Sequence, residues 1–393
     1  MTILDALEHA VVMAAIMGWE ILWPLILGFA LSAVVQAVVS HSEMARLLPD
    51  DGPRSILKAL GLGAASSSCS YAAVALARSI FRKGGNFSAA MAFEMASTNL
   101  VVELGIILIV LMGWQFAAAE FIGAPIMVAI LVLLFRRFLS SRLIEEARTQ
   151  ADKGIAGRME GHAAMDMSVA ADKPLLARMF SARGFTAISH YFIMDWASIW
   201  LDIVIGLLIA GALAAWVPPA VWQSVFFAHH PAIARLWGPL IGPLVGIASF
   251  VCSVGNVPLA AVLWNGGISF GGVIAFIFSD LIVAPILDIY RKYYGWRMTG
   301  FLLATFYIAM ASAAFIVDAL FSWAGFVPQA RHALVIEAQM AWNYTTWLNI
   351  AFLGLAAVLL WRFFTTGGPA MLRMMNAPGH EHHHHHGGAH HRH

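Results

Sequence analysis

The sequence predicts an all-α polytopic membrane protein made of two inverted repeats, with about seven spanning helices plus two re-entrant (broken) helical segments. Three observations carry that expectation. Of the 393 residues, 60% are hydrophobic and only 11% charged, where a soluble domain carries roughly a quarter charged residues. Nine apolar segments recur, near 11–39, 59–81, 87–113, 116–135, 185–217, 236–264, 268–290, 298–324 and 345–364, and a bilayer crossing takes about 20 residues of helix. Two of them, 59–81 and 236–264, hold the chain's two cysteines in matching small-residue settings.

The first segment follows Met1–Ala10, which has Asp5 and Glu8 and no basic residue. The run is too long for a signal-peptide core, so a retained membrane helix is expected. Four apolar segments precede a polar stretch, and five follow it. The stretch carries Arg136, Arg137, Arg142, Arg148, Lys153, Arg158, Lys173, Arg178 and Arg183, which the positive-inside rule places in the cytoplasm. Its start, RRFLSSRLIEEAR, reads as a helix continuing out of the membrane. The organisation is therefore a first membrane repeat (1–135), a cytoplasmic basic loop (136–184), a second membrane repeat (185–367) and a His-rich cytoplasmic tail (368–393).

Charge also selects the topology. If all nine segments cross, RKYYGWR (Arg291 to Arg297), Arg362 and Arg373 fall outside and the N-terminus without basic residues falls inside. If the two cysteine-bearing segments instead turn back, every basic cluster moves to the cytoplasmic side, as the rule requires. Nine full spans remain the alternative. In the re-entrant topology the two segments enter from opposite faces, the arrangement of an inverted repeat in secondary transporters. Residues correspond accordingly. Cys69 matches Cys252, Ser70 matches Ser253, and Val74, Leu76 and Ala77 match Val257, Leu259 and Ala260. Phe87 matches Phe270 and Phe93 matches Phe276; after a one-residue slip, STNLVV from Ser97 lies against SDLIVA from Ser279.

Broken helix at membrane depth is tolerated only inside protein or along a cavity. Gly61, Gly63, Ser66, Ser67, Ser68 and Ser70 suit such a break, as do Gly246, Ser249, Ser253, Gly255, Asn256 and Pro258. The same small residues also serve close helix packing. A thiol is a soft ligand, so Cys69 and Cys252 meeting at midplane would suit a metal or trivalent metalloid; buried cysteine also serves as a small hydrophobe. Ionisable residues inside spans are functional candidates. Here they are Glu94, Glu103, Asp195 and Asp280 for proton coupling, with Asp202 two turns beyond Asp195. A buried carboxyl is harder to ionise and can take up and release a proton. Asn99 and Glu103, four apart, are expected on one helical face. Arg78 is either a cationic partner for these acids or a snorkelling side chain beside Arg82 and Lys83.

The C-terminus reads GHEHHHHHGGAHHRH from Gly379. His380, His382, His383, His384, His385, His386, His390, His391 and His393 form a candidate transition-metal site, and the Glu381 interruption distinguishes the tail from an unbroken cloning tag. No other cofactor is expected. No nucleophile–base set, phosphate-cradling loop or nucleotide motif is present, so an enzyme is not expected, and no basic stripe points to nucleic acid. The expected partners are the lipid bilayer and a small ion or solute, with an oligomer or partner subunit left open.

The stretches SSSCSYAAVALARSIFRKGGNFSAAMAFEMASTN and VCSVGNVPLAAVLWNGGISFGGVIAFIFSD resemble the YraQ/ArsP-like permease family over roughly residues 20–320. The resemblance implies a multi-pass permease of the bacterial inner (plasma) membrane with two related halves joined by a polar loop, and for some relatives trivalent organoarsenical substrates. Ser67 and Ala75 stand where the family's first motif commonly has a further cysteine and a proline, which leaves Cys69 and Cys252 as the thiol pair. The leading expectation is an exporter of a heavy-metal or metalloid species, coupled to protons. The alternatives are a permease for a small anion or organic solute, and a membrane subunit or scaffold that transports nothing alone.

Overall fold

The computed structural model describes residues 3–38, 47–66, 70–82, 84–151, 179, 181–216, 218–227, 230–249, 253–331, 333 and 344–376. Every regular element among them is helical. The first half runs α1 (Ile3–Val38), α2 (Pro53–Ser66), α3 (Ser70–Arg82), α4 (Phe87–Asn99), α5 (Val102–Met112) and α6 (Trp114–Phe138), then the polar helix α7 (Ser141–Ala151). The second half runs α8 (Ala182–Trp216), α9 (Pro219–Val225), α10 (Pro231–Ser249), α11 (Ser253–Gly266), α12 (Phe270–Phe278), a 3₁₀ turn (Ser279–Leu281), α13 (Ala284–Tyr294) and α14 (Trp296–Ala324). Two further helices, α15 (Tyr344–Thr365) and α16 (Gly368–Asn376), follow. Leaving out α7 and α9, the same order of elements occurs twice.

Six helical stretches among the described residues are long and apolar enough to cross a membrane: Phe87–Met112, Trp114–Phe138, Pro231–Ala248, Phe270–Tyr294, Trp296–Ala324 and Thr345–Thr365. Helices α1 and α8, of 36 and 35 residues, also have the length. They pack along each other, with Gly211 against Ala10 and Ala14, Gly18 against Leu207, and Phe29 edge-on to Trp196 at 5.1 Å.

Packing order decides how the cysteine-bearing segments run. The Leu48 carbonyl accepts from the Asn86 amide at 2.9 Å, while fifteen residues further on Gly63 lies against Phe93, Ala96 and Ser97. Helices α2 and α4 therefore run side by side in one direction, and α3 returns between them to bring Phe81 within 5.0 Å of Phe87. In the second half Gly238 meets Ser269, Gly242 meets Gly272 and Phe276, and Gly246 meets Ser279. Helices α10 and α12 are thus parallel, with α11 returning. Both segments are helical hairpins that enter and leave on one side. Pro231–Ala248, 18 residues and apolar, is by this packing a hairpin arm.

The two parallel pairs use the same device. A Cβ added at Gly63 would lie 2.5 Å from the Phe93 carbonyl oxygen, and one at Gly246 would collide with Ser279 Oγ. Without a side chain at these positions the backbones approach closely, as small residues permit in membrane helices. The helices after the hairpins also begin alike. Asn86 Oδ1 accepts from the Ala89 amide at 3.2 Å and Ser269 Oγ from the Gly272 amide at 3.1 Å, each satisfying an orphan first-turn donor.

Tracing the chain puts most described basic residues on one face, which is stitched by polar contacts. Arg136 pairs with Asp51 at 2.9 Å, and Arg148 donates to the Phe81 carbonyl at 2.9 Å. Gln150 donates to the Lys292 carbonyl at 3.0 Å and Arg297 reaches Glu146 at 3.3 Å. Arg142 and Arg297 hold the Glu146 carboxyl below its ordinary range. The opposite face has Arg235 and Arg331.

One expectation needs correcting. RRFLSSRLIEEAR is not a single helix leaving the membrane: α6 ends at Phe138, Leu139 is extended (φ −79°, ψ 114°), and α7 starts at Ser141. Ser140 Oγ accepts from the Leu143 amide at 3.3 Å, so a serine ends one helix and caps the next. Within the expected polar loop, residues 152–178 lie outside the described residues, as does most of the His-rich tail.

The hairpin packing predicts contrasting glycine variants. Gly63→Ala should destabilise by about 1–3 kcal/mol through overpacking, whereas Gly61→Ala, with nothing within 4 Å of the added carbon, should be neutral or stabilise by about 0.5–1 kcal/mol. Thermal unfolding in detergent measures both; equal midpoints would contradict the close approach.

Candidate functional site

Both long spans that follow the hairpins are interrupted at the same place. In the first, α4 ends at Asn99; Leu100 (φ −105°, ψ 27°) and Val101 (φ −96°, ψ 144°) then break the helix before α5. In the second, the 3₁₀ turn passes into Ile282 (φ −119°, ψ 11°) and Val283 (φ −61°, ψ 148°) before α13. The interrupted residues are those of STNLVV and SDLIVA. Serine hydroxyls bond back to the preceding turn just before each break: Ser97 Oγ donates to Glu94 O at 2.9 Å, and Ser279 Oγ donates to Phe276 O. Pro285, in the first turn of α13, removes a donor that would have no helical partner.

Several buried polar groups lie at these breaks and beside the hairpin tips. Ser70, first residue of α3, donates its hydroxyl to Asp280 Oδ2 at 2.8 Å, and both are fully buried. The tip of the first hairpin thus touches the break in the second span. Glu94 on α4 is fully buried and accepts a hydrogen bond from the Tyr290 hydroxyl on α13 at one oxygen; its other oxygen has no hydrogen-bond partner. At the other break, Asn99 donates to Met95 O at 3.0 Å and Thr98 Oγ1 at 2.9 Å, with Oδ1 unpartnered. Asn256 on α11 is fully buried with neither amide atom hydrogen-bonded.

The expected residues are therefore partly assembled. Ser66 is buried at the end of α2, and Ser70, Asp280 and Glu94 come together. Ser249 and Ser253 end and begin the helices flanking the second hairpin tip. Cys69, Ser67, Ser68 and Cys252, and the histidines from His380 to His393, lie outside the described residues. Glu103 is buried with its methylenes beside Gly28 of α1, and Asp195 is buried on α8. The expectation that Asn99 and Glu103 share a helical face is overturned, because the break at Leu100–Val101 puts them on different helices.

Arg78 is not a snorkelling side chain. It is 1% exposed, donates from Nε and Nη2 to the Ala151 carbonyl at 3.1 and 2.6 Å, and stacks over Tyr293 at 4.3 Å. Arg78 thereby fastens α7 beneath the first hairpin. Sequence reading also passed over Glu120, fully buried on α6 with both carboxyl oxygens unpartnered. Its signal was plain: it is the lone charged residue of the apolar run 116–135.

The opposite face opens into a cavity of about 380 Å³ lined by Arg235, Trp264, Ser269, Asp318, Gln329 and Arg331. Arg235 pairs with Asp318 at 3.1 Å, and Arg331 donates to Trp264 O and Ile268 O at 2.9 Å each while lying over the Trp264 ring. Among the described residues no group of three or more His, Cys, Asp or Glu is placed to hold a metal ion.

Helical hairpins that turn back on themselves, spans broken beside them and polar groups buried at the breaks define a multi-pass membrane protein of the permease class. The chain belongs to the ArsP_1 family, described as a predicted permease, whose match covers residues 6–319. It is also 62% identical over 349 residues to a Mycobacterium tuberculosis (strain ATCC 25618 / H37Rv) protein named as a permease, Rv2963, spanning 88% of this chain and 86% of that one. No solved structure matches the chain.

The arginine contact is open to test. Arg78→Ala removes two charge-assisted hydrogen bonds and should lower stability by about 2–3 kcal/mol, with Arg78→Lys recovering only part because it cannot form the fork. A thermal midpoint unchanged in Arg78→Ala would return Arg78 to a surface role.

Proposed function

We propose that this chain is a secondary permease of the bacterial inner membrane, carrying its substrate between the two hairpin tips and the two broken spans. The carrying observation is the pair of equivalent interruptions with buried Ser70, Asp280, Asn99 and Asn256 around them. The repeated element order and the single basic face support reading the halves as an inverted repeat with the basic face cytoplasmic. Ends of broken helices presented at membrane depth are how such proteins meet polar cargo.

For the substrate, we favour export of a heavy-metal or metalloid species, organoarsenicals included. Cys69 directly precedes Ser70, whose hydroxyl reaches Asp280, and Cys252 holds the matching place before Ser253. Trivalent, thiophilic species suit thiols at such a tip, and the histidines of the tail would collect transition-metal ions beforehand. Glu94, Glu103, Asp195 and Asp280 are the sequence-derived candidates for coupling export to proton entry. The Arg235–Arg331 cavity favours a second reading, a small anionic solute, since guanidinium groups recognise carboxylate and phosphate.

Accumulation of arsenite, a trivalent methylarsenical and divalent metals in efflux-deficient cells separates these readings. Expression of the wild-type chain should lower accumulation of at least one, and Cys69→Ser and Cys252→Ser should each reverse the effect several-fold. Unchanged accumulation of every species tried would sink the thiol reading. Silent cysteine variants alongside a charge-dependent loss in Arg331→Gln would favour the anion.

A further inference from the structure

Glu120, Asp280 and Glu94 stand at successive depths in the membrane core. At about 1.5 Å per residue, Glu120 lies about 9 Å along α6 from its end on the face opposite the basic one. Asp280 lies about 15 Å along the second broken span from Phe270 on that same face, and Glu94 about 10 Å from Phe87 on the basic face, across a core of about 30 Å. Gly123, one turn from Glu120, lies against the Phe278 ring two residues before Asp280, so this face of α6 meets the interrupted segment. By these depths Asp280 lies between the two glutamates along the membrane normal.

Glu120 is fully buried with neither oxygen hydrogen-bonded, and Glu94 has one bare oxygen. Neither forms an ion pair with a described Lys or Arg. An unpaired ionised carboxylate in such a place costs many kcal/mol unless it is neutralised, so these oxygens call for a ligand carrying positive charge. We propose that Glu120, Asp280 and Glu94 form a proton relay through the membrane core, with Glu120 taking the proton on the face opposite the basic one. One carboxylate accepts the proton as its neighbour releases it, from Glu120 to Asp280 to Glu94, and charge is conserved at each transfer. The Ser70 hydroxyl and the Tyr290 hydroxyl hold Asp280 and Glu94 in place.

The elements around the acids carry further charged and titratable groups. From α5 comes Glu103, beside Gly28. From α14 comes Asp318, paired with Arg235 near the opposite face. From α13 come Tyr290, Tyr294 and Asp288, the last paired with Arg291 and Lys292. From α3 comes Arg78, committed to the Ala151 carbonyl. A proton fits better than a metal ion, since no metal-holding group forms among the described residues. This inference rests on the permease reading for its purpose, but its test does not require a substrate.

Infrared difference spectroscopy of the full chain in phosphatidylcholine vesicles reads protonated carboxyls directly. The wild type should show a deuterium-sensitive carboxylic carbonyl band that disappears as pH rises. Glu120→Gln, Asp280→Asn and Glu94→Gln should each remove one carboxyl's share and shift the midpoint of the remainder, while Glu120→Asp keeps the share and Asp288→Asn changes nothing. A band untouched by Glu120→Gln, or a remainder titrating with an unshifted midpoint, would overturn the relay. So would removal of the band by sodium at constant pH. Should a variant not fold, carbodiimide labelling of the wild type serves: label on Glu120 at low pH supports the relay, and none on any of the three overturns it. An intact band without substrate flux sinks the permease proposal and spares the relay; flux without the band does the reverse.

Discussion

In hydrocarbon, no water is present to satisfy an exposed N–H or C=O, so irregular backbone at membrane depth survives only inside protein. That constraint governs this molecule, which carries two hairpin turns and two broken spans. Each must be wrapped, and the wrapping is done by neighbours at short range. Gly63 and Gly246 bring each entering hairpin arm onto the span that will break. Ser97 and Ser279 then turn their hydroxyls back onto carbonyls of the preceding turn. The long helices α1, α6, α8 and α14 surround these elements, and α15 presents Trp347, Trp361 and Phe364 outward, as a peripheral helix in lipid would.

Wrapping irregular backbone creates a polar interior, and that interior is where chemistry becomes possible. Beside the breaks Ser70 reaches Asp280 and Tyr290 reaches Glu94, groups from opposite halves of the sequence. Those contacts tie the two halves together near their least regular points. The elements with the weakest backbone ladders are thereby also where the halves meet, as expected of parts that rearrange during transport.

The helical class and the turning-back of the cysteine-bearing segments were legible because they rest on composition and on the distribution of Lys and Arg. The interruption at Leu100–Val101 was not. Val and Leu are ordinary in apolar helix, and nothing local says that α4 must stop at Asn99; the break is imposed by the hairpin packed beside it. The Asn99–Glu103 pairing failed for that reason. Arg78 was misread because its partner, the Ala151 carbonyl, lies 73 residues away on a helix whose docking no pattern reveals. Glu120 needed no structure, only attention to a single charge in an apolar run. The cysteines that prompted the metal reading lie outside the described residues, so the thiol site still rests on sequence.

The two breaks are alike in backbone and unlike in charge, and the difference is informative. At equivalent positions the first has Thr98 and the second Asp280, while Asn99 faces Leu281 across the correspondence. The first break offers hydroxyl and amide groups; the second offers a carboxylate. The Ser70 hydroxyl of the first hairpin reaches that carboxylate at 2.8 Å, and Gly63 of the same hairpin lies against Ser97 beside the first break. One hairpin therefore touches both breaks, so a change in packing at either is felt by an element that also contacts the other.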